Sequence, residues 1–295
     1  MTAQIISGTE IAKEIRAELK QEIADLKEKH NVVPGLVTVL VGADPASQVY
    51  VGQKEKTSQN LGIYSERYDL PEDTSQEDLL ALIDKLNNDP KINGILVQLP
   101  LPKHINETEV LYAISPKKDV DGFHPVSLGK LMIGEPDYIP CTPHGIQQLL
   151  IRSGVKIEGA EVVVVGRSNI VGKPIANILL QKADGANATV TVCHTRTRDL
   201  AFHTKRADII IAAAGKAKAI TADMVKDGVV VIDVGVNQIG TTAEGKRILV
   251  GDVDFEAVKE KASAITPVPG GVGPMTITML MMNTVRAAKL AAGLA

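Results

Sequence analysis

Four side chains in this sequence are of types that move protons or hold a heterocycle. Tyr50 and Lys54 stand four apart in a segment, residues 45–60, that opens with Asp44 and Pro45, a cap and a first helical turn. Residues so spaced share a helix face, which Thr57 and Leu61 continue, whereas Lys56 falls with Glu55, Gln59 and Asn60. A lysine in line with a tyrosine and a leucine is placed to point inward. Burial there would disfavour its charge and lower its pKa, making it a base or tunable donor near neutral pH. The competing reading is an ammonium that snorkels past the helix edge.

Gln98 lies near the end of the apolar run Gly94–Leu99 (GILVQL), a strand whose carboxyl end is where open α/β sheets gather ligands. An amide there donates and accepts at once, which suits the edge of a heterocycle, although a polar strand end meeting water reads the same way. Asp121 beside Gly122 is a carboxylate in a tight turn, a partner for a ring N–H or amino group. Gly270, Gly271 and Gly273, between Pro269 and Pro274, make a loop without side-chain bulk, fit for a flat ligand or for a bare hinge.

A second constellation lies in residues 161–180, EVVVVGRSNIVGKPIANILL. The β-branched run stops at Gly166; a polar loop with Arg167 and Ser168 follows, then Gly172, Pro174 and an apolar helical pattern. Strand, glycine turn and helix N-terminus together offer backbone N–H groups and a positive helix end to a phosphate. The next strand, residues 188–193, is followed by His194, Thr195, Arg196, Thr197 and Arg198. NAD-binding units usually carry an acidic residue here for the ribose hydroxyls. This chain has none, and offers hydroxyl and guanidinium donors that suit a 2′-phosphate. The pair reads as NADP binding, with a solvated basic loop as the competing account.

The elements that must hold these groups alternate along the chain. Helices are expected at 9–29, 45–60, 76–88 and 143–152, with a last one after Pro274. Strands are expected at 36–41, 63–70, 94–99, 162–165, 188–193, 207–212, 229–233 and 248–251. This rhythm predicts parallel sheet covered by helices on both faces. Between 115 and 140 the pattern dissolves into Pro, Gly and charge, a domain junction. At 295 residues, 44% of them hydrophobic, the chain is long enough for two cores. A net charge of −3 and 3% aromatic content offer neither a basic field nor a stacking platform for nucleic acid. No apolar run is long enough to span a bilayer. Cys141 and Cys193 stand far apart, which points to free thiols in a reducing cytoplasm and to no metal site.

Taken together these segments closely resemble the bifunctional methylenetetrahydrofolate dehydrogenase/methenyltetrahydrofolate cyclohydrolase family. The matching stretches are YVGQK (50–54), GILVQLPLP (94–102), DVDGFHP (119–125), PCTPHG (140–145), VGRSNIVGKP (165–174), ATVTVCHT (188–195), VIDVGVN (231–237), GDVDF (251–255) and TPVPGGVGPMT (266–276). The resemblance implies Lys54 as catalytic lysine, with Tyr50 and Gln98 beside it and Val97 and Leu99 flanking the amide. It implies that Asp121 holds the pterin and that Pro269, Gly270, Gly271, Val272 and Gly273 line the folate cleft. Gly166, Arg167 and Ser168 would hold NADP, with Thr195 near its 2′-phosphate and Ile232 beside the nicotinamide half. Thr195 stands where many members have serine and keeps the hydroxyl. The implied fold is α/β in two domains with a cleft between them: a three-layer folate domain, residues 1–140 plus 274–295, and a Rossmann-like NADP domain, residues 141–273. The implied assembly is a cytoplasmic homodimer acting on tetrahydrofolate one-carbon derivatives. Two rivals share the second domain: a generic NADP dehydrogenase, which needs no Lys54 with Gln98, and a non-catalytic nucleotide-binding module, in which Lys54 is dispensable.

Overall fold

The computed structural model describes residues 2–242, 245 and 247–294. In chain order the first part runs β1 (Gln4–Ile5), α1 (Gly8–His30), β2 (Gly35–Val41), α2 (Pro45–Leu61), β3 (Tyr64–Leu70), α3 (Gln76–Asn88), β4 (Gly94–Val97), α4 (Glu107–Ala113) and α5 (Pro125–Met132). It continues through α6 (Cys141–Arg152), β5 (Glu161–Val165), α7 (Gly172–Leu180), β6 (Thr189–Cys193), α8 (Leu200–Thr204), β7 (Ile209–Ala212) and β8 (Val230–Asp233). The last part holds β9 (Asn237–Thr241), β10 (Arg247–Val250), α9 (Phe255–Val258), β11 (Ala264–Ile265) and α10 (Val272–Ala291). Among the described residues no helix is long and apolar enough to cross a membrane.

Two compact units result. One comprises Met1–Lys13 with Thr142–Thr276, the other Glu14–Cys141 with Ile277–Ala295. The first thirteen residues were expected with the second of these. They stand with the first because β1 pairs in parallel with β11, Gln4 opposite Ala264. The irregular stretch 115–140 contains α5 and stays within one unit, and the change of unit comes at 141/142.

The unit around Glu14–Cys141 is built on a parallel three-stranded sheet, order β3-β2-β4. Strand β2 (GLVTVLV) is buried throughout, as an all-apolar central strand covered on both faces must be. Helix α3 lays Leu79, Ile83 and Leu86 against Val37, Val39, Ile95 and Val97. The spacing of those three residues is the signature of one helix face, and each such side chain contributes about 1.5–3 kcal/mol by leaving water. Asp44 caps α2 by accepting from Ser47 N at 2.7 Å, and Gly62 at φ +85° ends it. In α10 the residues spaced to share one face, Ile277, Leu280, Met281, Thr284, Val285 and Ala288, are buried. Thr278, Met279 and Asn283 are buried too, so this helix is enclosed on more than one side.

The other unit holds a six-stranded sheet, order β1-β11-β8-β7-β5-β6, parallel throughout. The chain moves outward from β5 to β6 and returns to β7 on the other side of β5, so the strand order reverses between β5 and β7. The expected strand at 248–251 is displaced from this sheet: it is β10 and pairs antiparallel with β9. Hairpin partners come from adjacent segments, and the polar NQIGT of β9 lacks the apolar run that betrays a core strand.

Candidate active site

Lys54 is buried, 8% exposed, and its Nζ donates to Gln98 Oε1 at 2.9 Å. The stripe argument holds: Thr57 and Leu61 are buried with it and Lys56 is exposed. Tyr50, one turn earlier, is 41% exposed, so the stripe emerges from the core toward solvent through the lysine. Desolvation holds the Lys54 ammonium below the ordinary lysine range, and the Asp121 carboxylate works against that shift. Asp121 is itself pushed above the carboxylate range by burial, with the lysine charge pulling it back. Gln98 N bonds Val39 O at 2.8 Å, continuing the ladder one residue past β4, and its Nε2 donates to Leu99 O at 2.7 Å. That second bond presents the amide oxygen, not the amide nitrogen, to the lysine. Leu99 packs at the edge of the apolar cluster, whereas Val97 lies within it, which leaves Val97 only its backbone for a ligand.

Asp121 is held by residues that the spacing arguments missed. Cys141 Sγ donates to Val120 O at 3.4 Å, burial keeps that thiol protonated, and its nearness helps to pull the Asp121 carboxyl back toward its ordinary range. Asn283 in α10, fully enclosed, donates Nδ2 to Val120 O at 2.7 Å and Ile139 O at 2.9 Å, tying together the two segments that carry Asp121 and Cys141. The neighbouring Asp119 does different work: it accepts from His124 N at 2.9 Å, Phe123 N at 3.2 Å and Ser127 Oγ at 2.6 Å, and so folds the turn. The motif DVDG thus carries one carboxylate for the loop and one for the lysine.

Burial raises Asp119 to about 6 despite those bonds. A carboxylate whose folded value lies above its ordinary 3.8 gives stability that is full below about pH 4 and is lost as pH rises through about 6. An Asp119→Asn chain lacks this titration. Its thermal stability deficit against the parent should therefore shrink from pH 4 to pH 7, by up to about 3 kcal/mol. A deficit that is constant across that range contradicts the assignment.

In the other unit β5 and β6 run in register, Val165 opposite Cys193, and Gly166 N donates to Cys193 O at 2.9 Å. The loops carrying Arg167 and Thr195 therefore leave the same end of the sheet side by side. Gly166 has φ +142°, and a Cβ there would stand 2.1 Å from Ala213 O, so no other residue type fits. A Cβ on Gly172 would meet Gly166 O at 2.3 Å, which sets the start of α7 directly against the turn. Ser168 Oγ accepts from Val171 N at 3.1 Å and Gly172 N at 3.4 Å and shapes the loop from within. Beyond β6, Thr197 Oγ1 accepts from His194 N at 2.9 Å, while Thr195, Arg196, Arg198 and Arg167 are exposed. A glycine cradle at a helix N-terminus, flanked by exposed guanidinium and hydroxyl groups, fits a dinucleotide with an extra phosphate. Ile232 is 0% exposed inside β8, so its side chain is core and only its backbone is at hand for a ligand.

Pro269, Gly270 and Gly271 connect β11 to α10, and Val272 and Gly273 open that helix. The glycines serve the chain itself in part: Thr9 N donates to Gly270 O at 3.1 Å, and a Cβ on Gly8 would stand 1.7 Å from Gly271 O. Pro269 is exposed, and the Cβ side of Gly273 is open.

With this geometry in hand, comparison with known proteins finds two family models. Tetrahydrofolate dehydrogenase/cyclohydrolase, catalytic domain, matches residues 6–121, and the NAD(P)-binding domain of the same name matches 140–292. The bifunctional protein FolD of Syntrophus aciditrophicus is 68% identical over 294 residues, 100% of each chain. Among solved structures, the bifunctional FolD methylenetetrahydrofolate dehydrogenase/cyclohydrolase of Campylobacter jejuni is 48% identical with a TM-score of 0.91, covering 98% of this chain and 99% of that one. The Trypanosoma brucei N5,N10-methylenetetrahydrofolate dehydrogenase-cyclohydrolase, complexed with NADP cofactor and inhibitor, is 39% identical with a TM-score of 0.92, covering 98% of each chain.

Proposed function

The chain belongs to the tetrahydrofolate dehydrogenase/cyclohydrolase family, and from that membership we propose how its residues divide a two-step reaction. It oxidises 5,10-methylenetetrahydrofolate to 5,10-methenyltetrahydrofolate with NADP⁺ and hydrolyses the product to 10-formyltetrahydrofolate. The observation that carries the site assignment is the buried lysine, 2.9 Å from Gln98 Oε1 with the Asp121 carboxylate acting on its charge.

Folate is assigned to the unit Glu14–Cys141 with Ile277–Ala295, and the nucleotide to the unit Met1–Lys13 with Thr142–Thr276. Asp121 holds the pterin, with Tyr50, Gln98 and the backbone at Val97 and Leu99 around it. Pro269, Gly270, Gly271, Val272 and Gly273 remain proposed folate contacts. The turn at Gly166, Arg167 and Ser168 receives the phosphates, Thr195 and Arg167 bind the 2′-phosphate, and the backbone at Ile232 lies toward the nicotinamide. NADP⁺, when bound, takes the hydride from the one-carbon bridge. The protein's part in that step is orientation, which intramolecular models show to be worth as much as about 7–11 kcal/mol.

In the second step water adds to the cationic methenyl carbon, the bond from that carbon to N5 breaks, and N5 gains a proton. Lys54 takes one proton from the attacking water and returns it to N5, and the remaining hydroxyl proton of the adduct leaves to solvent as the formyl C=O forms. Desolvation favours the neutral amine, Gln98 Oε1 fixes the direction of the amine, and Asp121 keeps the returned proton from being too costly to hold. Methenyltetrahydrofolate supplied without nucleotide should be hydrolysed by the purified chain. If it is untouched above the uncatalysed rate, the cyclohydrolase half of the reading fails.

The chain is further assigned as a cytoplasmic homodimer. Its two thiols, Cys141 and Cys193, are both free, which supports a reducing compartment. Light scattering should give a mass of about twice 31.4 kDa, and a value at 31.4 kDa excludes the dimer.

A further inference from the structure

Two carboxylates are buried at the carboxyl end of the six-stranded sheet, apart from Lys54 and Asp121. Asp233 ends β8 and Asp252 follows β10, and they are 2% and 0% exposed. Between them they bind hydrogen-bond donors of three separate segments. Asp233 accepts from Asp252 N at 2.8 Å, Gly235 N at 3.0 Å and Val253 N at 3.0 Å. Asp252 accepts from Gly215 N at 2.8 Å, Lys216 N at 2.9 Å and Asn237 Nδ2 at 2.8 Å. A chain of charge-assisted bonds therefore runs from the end of β8, through the 251–253 segment, to the loop that follows β7.

The sequence leaves room for both carboxylates. A Cβ on Gly251 would stand 1.8 Å from Asp233 Oδ2, and one on Gly235 would stand 2.2 Å from Asp252 Oδ1. The D-x-G of VIDVGVN and the G-D of GDVDF interlock: each motif's glycine makes space for the other motif's aspartate. Burying two carboxylates this deeply is costly unless every oxygen is used, and three donors converge on each. Such an investment in a loop needs a reason.

The loop's position supplies one. In an open parallel sheet the ligand crevice opens beyond the carboxyl ends of the strands where the strand order reverses. Here that point lies between β5 and β7. The turn at Gly166 follows β5, and the segment Ala213–Lys216 follows β7. Gly166 lies against the Ala213 carbonyl, which any side chain at 166 would strike. The segment clamped by Asp252 is thus the wall beside the phosphate turn.

We propose that Asp252, held in place by Asp233, is a positioning residue for the dinucleotide: it fixes the Gly215–Lys216 backbone at the switch point and so sets cofactor affinity. This rests on the NADP reading above. Asp252→Asn keeps the shape and one oxygen. With that oxygen toward Lys216 N and Asn237 Nδ2, the new amide meets Gly215 N, donor against donor. The dissociation constant of NADP⁺ by titration calorimetry should rise roughly tenfold, and its KM with it. Hydrolysis of methenyltetrahydrofolate without nucleotide, done in the other unit, should stay within about twofold of the parent. Asn237→Ala, which removes one of the three donors to Asp252, should shift NADP⁺ affinity in the same direction by less. Unchanged NADP⁺ affinity in both variants overturns the proposal. So does a parallel loss of NADP⁺ affinity and nucleotide-free hydrolysis, which makes Asp252 a residue of the fold alone. A parent that binds NADP⁺ yet hydrolyses nothing contradicts the cyclohydrolase assignment and leaves the titration to judge the relay.

Discussion

Replacing Lys54 with methionine is expected to remove nearly all hydrolysis of methenyltetrahydrofolate. A positioned acid–base group contributes about 10²–10⁴-fold, and the loss should appear mainly in kcat. Methionine keeps most of the stem's length and packing, so folate and NADP⁺ should still bind. The substitution does leave Gln98 Oε1 without its donor, since the lysine ammonium is 2.9 Å away in the parent. That bond links α2 to the end of β4, and its loss costs about 1–3 kcal/mol of stability at most. Hydride transfer needs orientation more than proton traffic and should survive in part. The pH profile adds a second reading. The parent should show an ionisation below the ordinary lysine value of 10.5, because burial lowers it, and the variant should not. Lys56→Met, on the exposed side of the same helix, should be nearly silent. A Lys54→Met enzyme that hydrolyses at the parent rate would remove the lysine from the mechanism.

Arg167→Ala should raise the KM for NADP⁺ roughly ten- to hundredfold, the range expected for one charge-assisted phosphate contact of about 1.5–3 kcal/mol. The weaker reaction with NAD⁺, which has no 2′-phosphate, should hardly change. Arg167 is exposed and projects from a turn whose shape is set by Gly166, Gly172 and Ser168, so the fold should not depend on it. Thr195 leaves the neighbouring strand at the same level, because Val165 and Cys193 are paired. An equal loss with both cofactors would assign Arg167 to the pyrophosphate or to the loop.

Much of this arrangement was legible in the residues, for a physical reason. Helix α2 announces itself through Asp44-Pro45, helix α3 through its regular apolar face, and β2, β4, β5 and β7 through buried apolar runs. Lysine on an apolar stripe is a local pattern, and so is a glycine turn between strand and helix. What escaped depends on distant partners. Two-residue strands such as β1 and β11 have no periodicity, and their pairing carries thirteen residues into the other unit. The short helix α5 sits in the stretch 115–140 that reads as irregular, and α4 lies just before it where no element is expected, because their caps, Asn106 and His124, resemble loop residues. Nothing local separates Asp119 from Asp121, two residues apart. Only the fold gives one to backbone donors and the other to Lys54 and Cys141. Asn283 sits in an apolar helix pattern and finds its carbonyl partners from far along the chain. Val97 and Ile232 lie at strand ends near the sites, and nothing local told that their side chains face the core and leave only the backbone for a ligand.

In the proposed division of labour one chain oxidises the folate one-carbon bridge with an NADP-selective unit and then opens the product with a buried lysine. The most direct measurement supplies the purified protein with 5,10-methylenetetrahydrofolate and either NADP⁺ or NAD⁺, following reduced nucleotide and 10-formyltetrahydrofolate together. Both products should accumulate, with NADP⁺ the better oxidant. Reduced nucleotide without formylfolate would leave only a dehydrogenase, and formation of neither product would contradict the account as a whole.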